Sequence, residues 1–183
     1  MSGPEARFGV LRRFGAAREG AAAVEFALIA MPFFLLTFAL AEVTMAGFAQ
    51  TSLDFAVANT SRQVRTGEVQ TDGVTAEQLK SDICDTMNWL LAADCDGNLY
   101  LDIDTYESFV DVDPAMPIED GELNEGGFGF DPGEPSDIVV VRAFYRWRTI
   151  TPYFEQIFAN TNNGERILAS TMMFRNEPFP PPP

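Results

Sequence analysis

Between Ala21 and Ala41 the chain reads AAAVEFALIAMPFFLLTFALA, an apolar run holding one charge, Glu25, and this run constrains the fold more than any other feature. A helix needs about 20 mostly apolar residues to cross the hydrocarbon core of a bilayer, so the run predicts a transmembrane helix. Pro32 lies inside it. It is expected to loosen or kink the helix, because it removes one backbone donor and crowds the preceding turn. Helices in a bilayer tolerate such an interruption.

The flanking charges set an orientation. Residues 1–20 carry Arg7, Arg12, Arg13 and Arg18 with two Glu, whereas residues 68–137 carry nineteen acids and one base, Lys80. Basic residues beside a span are retained in the cytoplasm, while acids contribute little to orientation. The tail is therefore predicted in the cytoplasm and the acidic domain on the far side of the membrane. The formal net charge of −15 repels phosphate backbones, and nucleic-acid binding is not expected.

Composition removes several chemistries. The chain has no His, so imidazole metal sites, Ser/His/Asp triads and Cys/His dyads are excluded. Neither a cofactor nor a metal site is expected. The two cysteines, Cys84 and Cys95, fall in the part placed outside, where the default for such a pair is one disulfide closing a short loop. Two unpaired core thiols are the alternative.

Helical character continues past the run. Leu53, Ala56, Val57, Thr60 and Val64 recur at helical spacing, and Gly67 supplies a stop. A helix continuous from Ala21 would be roughly 70 Å long, more than a bilayer is thick. A second helix is predicted over Thr75 to Leu91. Thr75 and Gln78 form a capping box, and Leu79, Ile83, Met87, Leu90 and Leu91 mark an apolar face. Cys95 follows in a turn, Ala93 to Asn98.

Three strands are expected. Leu99, Leu101 and Ile103 alternate with Tyr100, Asp102 and Asp104, which places both aspartates on the solvent side. Over Ile138 to Thr149, Val139, Val141, Ala143, Tyr145 and Trp147 line one face and Arg142, Arg146 and Arg148 the other. Ile167 to Phe174 reads as the third strand. Asp111 to Ser136 reads as a long solvated loop, a short helix is expected after Thr151-Pro152, and Pro178 to Pro183 reads as extended polyproline.

Glu25 asks for an explanation, because an acid deep in a bilayer costs about 2.5–3.5 kcal/mol on insertion scales. Either it snorkels to the interface, or it has a partner. A cut after Gly20 would create a positive amine at Ala21, four residues before Glu25 and on the same helix face. The same cut removes the four tail arginines.

Gly20, four further residues, Glu25, Phe26 and a hydrophobic stretch resemble the processing site of type IV prepilins. More narrowly, Glu19-Gly20 through Glu25-Phe26-Ala27-Leu28, Pro32, and the later Arg62 and Gly67 are similar to TadE-like proteins, the minor pseudopilins of the tight-adherence pilus system. Val139-Val140-Val141-Arg142, Tyr145, Thr151-Pro152 and Arg175-Asn176-Glu177-Pro178-Phe179 resemble the end of that family's domain. The likeness covers the ends of the chain well and its middle poorly. It implies cleavage between Gly20 and Ala21 by a prepilin peptidase, pairing of Glu25 with the new amine of a neighbour, and partners among other pilus subunits and the inner-membrane assembly platform. The fold implied is α+β and pilin-like, a long N-terminal transmembrane helix followed by a small antiparallel sheet packed on an amphipathic helix. The expected divisions are a basic leader 1–20, a span 21–41, a helical extension 42–67 and an acidic domain 68–183.

Three other readings compete. Ala39-Leu40-Ala41 could serve as a leader-peptidase site, giving a secreted protein that begins at Glu42, or the chain could remain uncut as a membrane-anchored scaffold. Asp94-Cys95-Asp96-Gly97-Asn98 hints at calcium, yet an EF-hand loop begun at Asp94 would need Gly and Glu where Leu99 and Thr105 stand. Asp102 and Asp104 could in principle perform acid/base chemistry, but no pocket or glycine-rich phosphate loop accompanies them. No catalytic residue is assigned, and the chain is not expected to be an enzyme.

Overall fold

The computed structural model describes residues 18–91, 95–149, 151 and 154–179, without the side chains of residues 18, 19 and 88–91. The basic leader through residue 17, part of the turn at 93–94, Pro152 and the last four prolines lie outside the described residues, as do the side chains of Leu90 and Leu91. The chain divides into two compact units, Met1–Ala41 and Glu42–Pro183.

The helix α1 spans Arg18–Thr66 and is assigned without interruption across Pro32. In the first unit its large apolar side chains are exposed, among them Phe26, Leu28, Ile29 and Leu36. The segment from Gly20 is long and apolar enough to cross a membrane, as a membrane-anchoring helix must be. In the second unit α1 changes character. Leu53, Ala56, Val57, Thr60 and Val64, the stripe read from the sequence, are all buried.

The helix ends where Gly67 adopts φ 80, a left-handed conformation that costs a residue with a Cβ about 1–2 kcal/mol. A further short helix, α2 (Glu68–Asp72), follows, which the sequence reading did not anticipate. Thr75 then caps α3 (Ala76–Leu91). Its backbone N–H donates to Gln78 Oε1 at 2.8 Å while its hydroxyl accepts from the Gln78 N–H at 3.3 Å, the reciprocal box expected. Leu79, Ile83 and Met87 are fully buried on one face of α3. Cys84 is disulfide-bonded to Cys95, which opens the short α4 (Cys95–Asn98), with the two Cα atoms 5.6 Å apart. Closing a loop of this length is worth about 2–3 kcal/mol in the chain-entropy model.

The sheet is antiparallel and ordered β1-β4-β5, with β1 over Leu99–Tyr106, β4 over Ile138–Arg148 and β5 over Glu165–Arg175. Val139, Val141, Ala143, Tyr145 and Trp147 of the central strand join Leu99, Ile103 and Leu168 in one core with α1 and α3. The architecture is thus helix-plus-sheet, with a small antiparallel sheet packed against helices.

The opposite face of the sheet departs from expectation. Asp111 to Ser136 is not simply a solvated loop. It contains a two-residue hairpin, β2 (Ile118–Glu119) with β3 (Glu122–Leu123), turning through Asp120 and Gly121 at φ 50 and 76. Two positive φ values at an Asp-Gly pair are what a tight hairpin turn demands. Beyond it, Phe128 stacks on Phe144 at 5.3 Å, and Leu123 is buried with Phe144 and Ile167 in a second small core. Phe130 forms a parallel bridge with Ile103 on the free edge of β1. The segment is therefore a lid over the outer sheet face, and β4 is buried on both sides.

The lid corrects the placement of Asp102, which is fully buried rather than on the solvent side; Asp104 is partly exposed. The short helix after Thr151 also starts later than expected, as α5 (Glu155–Phe158).

The C-terminal segment returns to the end of α1. The Glu177 backbone N–H donates to the Arg65 carbonyl at 2.9 Å, and Arg65 Nε lies 3.3 Å from Glu177 Oε1. A Cβ built on Gly67 would overlap the Phe179 ring. Gly67→Ala should therefore cost about 1–3 kcal/mol, combining left-handed strain with overpacking. In a double-mutant cycle read by denaturant melts, Phe179→Ala should relieve part of that loss. Strict additivity of the two changes would show that the ring and the glycine do not meet.

Candidate assembly site

The residues singled out for processing lie together near the start of α1. Gly20, Ala21, Glu25 and Phe26 are all exposed, and nothing lies within 4 Å of a Cβ built on Gly20. Ala21 and Glu25 are one helical turn apart and share a face. Among the described residues no hydrogen bond or ion pair reaches Glu25. The segment is an open helical strand of small residues with one uncommitted carboxylate, able to pair with a cation supplied from outside its own chain.

A second carboxylate, at the other boundary of the apolar run, is fully committed. Glu42 is only 4% exposed, and its oxygens accept from Trp147 Nε1 at 3.3 Å, from the Thr151 N–H at 3.1 Å and from the Thr151 hydroxyl at 3.0 Å. It ties α1 to the end of β4. In the sequence Glu42 stands out only as the residue after a possible cleavage point. The available signal was an acid directly ending an apolar run, with a Trp on a strand downstream to receive it. Beside it lies a cavity of about 260 Å³, lined by Val43, Ala46, Gly47, Trp147, Phe158 and Leu168 among others.

The third charged cluster holds the lid. Asp102 and Arg142 are cross-strand partners. Arg142 grips Asp102 Oδ2 through Nη2 at 2.6 Å and Nε at 2.8 Å, while Asp102 Oδ1 accepts from the Gly129 N–H at 2.9 Å. A buried ion pair persists only when its remaining lone pairs are satisfied in this way. Further out, Arg146 pairs with Glu125 at 2.8 Å and stacks over the Tyr100 ring at 4.6 Å. Burial pushes the Tyr100 hydroxyl above its ordinary pKa, against the lowering pull of Arg146.

This cluster bears on the catalytic and calcium readings, since Asp102 is spent on Arg142 and Gly129. Asp131 accepts from the Thr105 hydroxyl and the Gly133 N–H, and Asp113 from the Ala115 N–H. Among the described residues no group of three or more Cys, Asp or Glu side chains is placed to hold a metal ion.

With this geometry in place, comparison with known proteins adds one finding. Residues 20–62 match the family model for TadE-like protein. The match covers a little under a quarter of the chain, and it holds Gly20 to Phe26, the apolar run, Glu42 and most of the buried stripe of α1. No curated protein and no solved structure matches the chain.

Two outcomes are expected. Burial, followed by the neighbouring Asp102 carboxylate, raises the Asp104 pKa above its ordinary value, with Arg142 opposing. A carboxyl raised in the fold contributes stability in acid that is lost as pH rises through its folded pKa. Asp104→Asn should therefore raise the melting temperature near pH 7, and the gain should vanish near pH 3, where both forms are neutral. A loss of stability at neutral pH would show that the Arg142 attraction outweighs the other effects. Separately, Glu42→Ala should cost about 1–3 kcal/mol by stranding the Trp147 and Thr151 donors. Thr151→Ala in the same background should then cost little more.

Proposed function

We propose that the chain is a minor pseudopilin, an assembly component of a tight-adherence type IV pilus system, anchored in a bacterial inner membrane with its acidic domain in the periplasm. One observation carries this reading: the TadE-like match begins at Gly20, the residue after which a prepilin peptidase would cut, and runs through Glu25 and the apolar run. Cleavage there releases the arginine-bearing leader and creates an α-amine at Ala21. That amine and the exposed Glu25 of a neighbouring copy would neutralise each other in an apolar setting, where an unpaired charge is costly. The pair would set the axial offset between subunits. The role is structural, and the partners are the peptidase, other pilus subunits and the inner-membrane assembly platform.

The rival reading is secretion with cleavage after Ala41. Two features weigh against it. The Ala41–Glu42 bond lies inside α1, and Glu42 is held by Trp147 and Thr151. A cut there would have to break α1 at a residue whose side chain is already buried and bonded.

The test is the N-terminus of the mature chain from cell envelopes. Ala21 is the expected first residue, and Gly20→Leu should leave the precursor uncut and reduce surface attachment. Glu25→Ala should still be processed yet fail in assembly. A mature chain that begins at Met1 or at Glu42 would overturn the proposal.

A further inference from the structure

The end of the folded unit beside Glu42 carries apolar side chains that the domain does not cover. Ile157 of α5 is 71% exposed. It lies between Phe154 and Phe158, both partly exposed, whose rings are 5.7 Å apart. Phe158 also lines the cavity shared with Val43, Ala46, Gly47 and Trp147, and Arg166 stands at that cavity with one guanidinium nitrogen 3.5 Å from the Phe158 carbonyl.

The chain itself says what this surface faces. Glu42 is the first residue after the apolar run, and Thr151, three residues before Phe154, is hydrogen-bonded to it. Where residues 21–41 cross a bilayer, residue 42 stands at the headgroup level. Anything bonded to Glu42 stands there with it. Aromatic rings with an apolar body and a polar tip collect at that depth, and long basic side chains reach from it into the headgroups. Arg166 is an exposed long basic side chain there, and the partly exposed Phe154 and Phe158 rings add apolar surface beside it, while the buried Trp147 ties β4 to Glu42 through its indole N–H. Ile157, exposed beside two partly exposed Phe rings, makes a small apolar patch that a lipid surface at this level could cover.

We infer that the α5 turn, with Arg166, is a membrane-interface seat that rests the periplasmic domain on the lipid surface. It fixes the rotation of the domain about α1 before assembly, so that one face is presented to incoming subunits. This inference rests on the reading of residues 21–41 as a span and adds the lipid surface as a partner of the folded domain.

The test uses the full chain, one copy per nanodisc of phosphatidylcholine and phosphatidylglycerol, with a single environment-sensitive fluorophore on Ile157→Cys, Val110→Cys or Leu28→Cys. Cys84 and Cys95 are bonded to each other, so only the new thiol reacts. Val110 is 87% exposed and follows β1 at the opposite end of the sheet, past the Tyr106–Ile138 pair. A side chain seated about 5–10 Å into the headgroup boundary should be quenched by phosphatidylcholine spin-labelled near the headgroup at least about twofold more than one at position 110. The label at 157 should also be shielded from aqueous iodide. Equal quenching at 157 and 110 would overturn the inference, as would shielding at 157 that appears only when several copies share a disc, which would assign the surface to a second copy. The label at Leu28 separates the two levels. Quenching at Leu28 but not at 157 overturns the seat alone, whereas quenching at neither removes the span as well.

Discussion

The buried stripe of α1 is the contact on which the folded unit depends. Ala49, Leu53, Ala56, Val57 and Val64 are each at most 1% exposed and meet the inner faces of β1, β4 and β5. Each fully buried Leu or Val contributes about 1.5–3 kcal/mol, and the Ala positions let the helix approach the sheet closely. Without α1 only α3 would remain on that sheet face, and the part that the stripe covers would lie open to water. The helix is thus at once an apolar segment long enough to cross a membrane and, with β4, a main contributor to the domain core. Its sequence must satisfy two solvents in succession, exposed aliphatic and aromatic side chains before Ala41 and a narrow buried stripe after it.

Two devices fix the ends of that stripe. At the start, Glu42 accepts from Trp147 and Thr151 and ties the helix to the last residues of β4. At the finish, the C-terminal strand end folds back, with Glu177 on Arg65 and Phe179 over Gly67. Asn176 continues the clasp by donating to the carbonyls of Pro132 and Glu134 in the lid. Helix, lid and C-terminus therefore meet at one corner, held by Asn176, Glu177 and Phe179.

Much of this was legible in the sequence because it is periodic or local. The α1 stripe, the Thr75–Gln78 box and the alternation in β4 each repeat a spacing that only one element type satisfies. The lid was not legible, for a physical reason. Its order comes from contacts distant in sequence, Phe128 on Phe144, Gly129 on Asp102 and Glu125 on Arg146, and a segment rich in Pro, Gly and acid carries no period that announces them. Asp102 illustrates the point. Alternation assigned it correctly to the face opposite the helices, but alternation cannot say whether that face meets water or another layer. The arginine paired with it at Arg142 was the available hint, since a cross-strand Asp and Arg are compatible with burial where a lone Asp is not.

The two glutamates that bound the hydrophobic stretch show how position in the fold divides otherwise equal chemistry. Glu42 has its oxygens occupied by three donors of its own domain and has little capacity left for another molecule. Glu25 is exposed and unengaged among the described residues. In an apolar medium an unengaged carboxylate is a strong drive toward whatever cation can reach it, and residues 21–41 hold no basic side chain of their own. A cation from outside that run must answer it, and on the proposed reading this is the α-amine that cleavage after Gly20 would create on a neighbouring copy. Burying Glu42 inside the domain while leaving Glu25 bare confines that demand to the N-terminal end of the helix, where a processed neighbour could answer it.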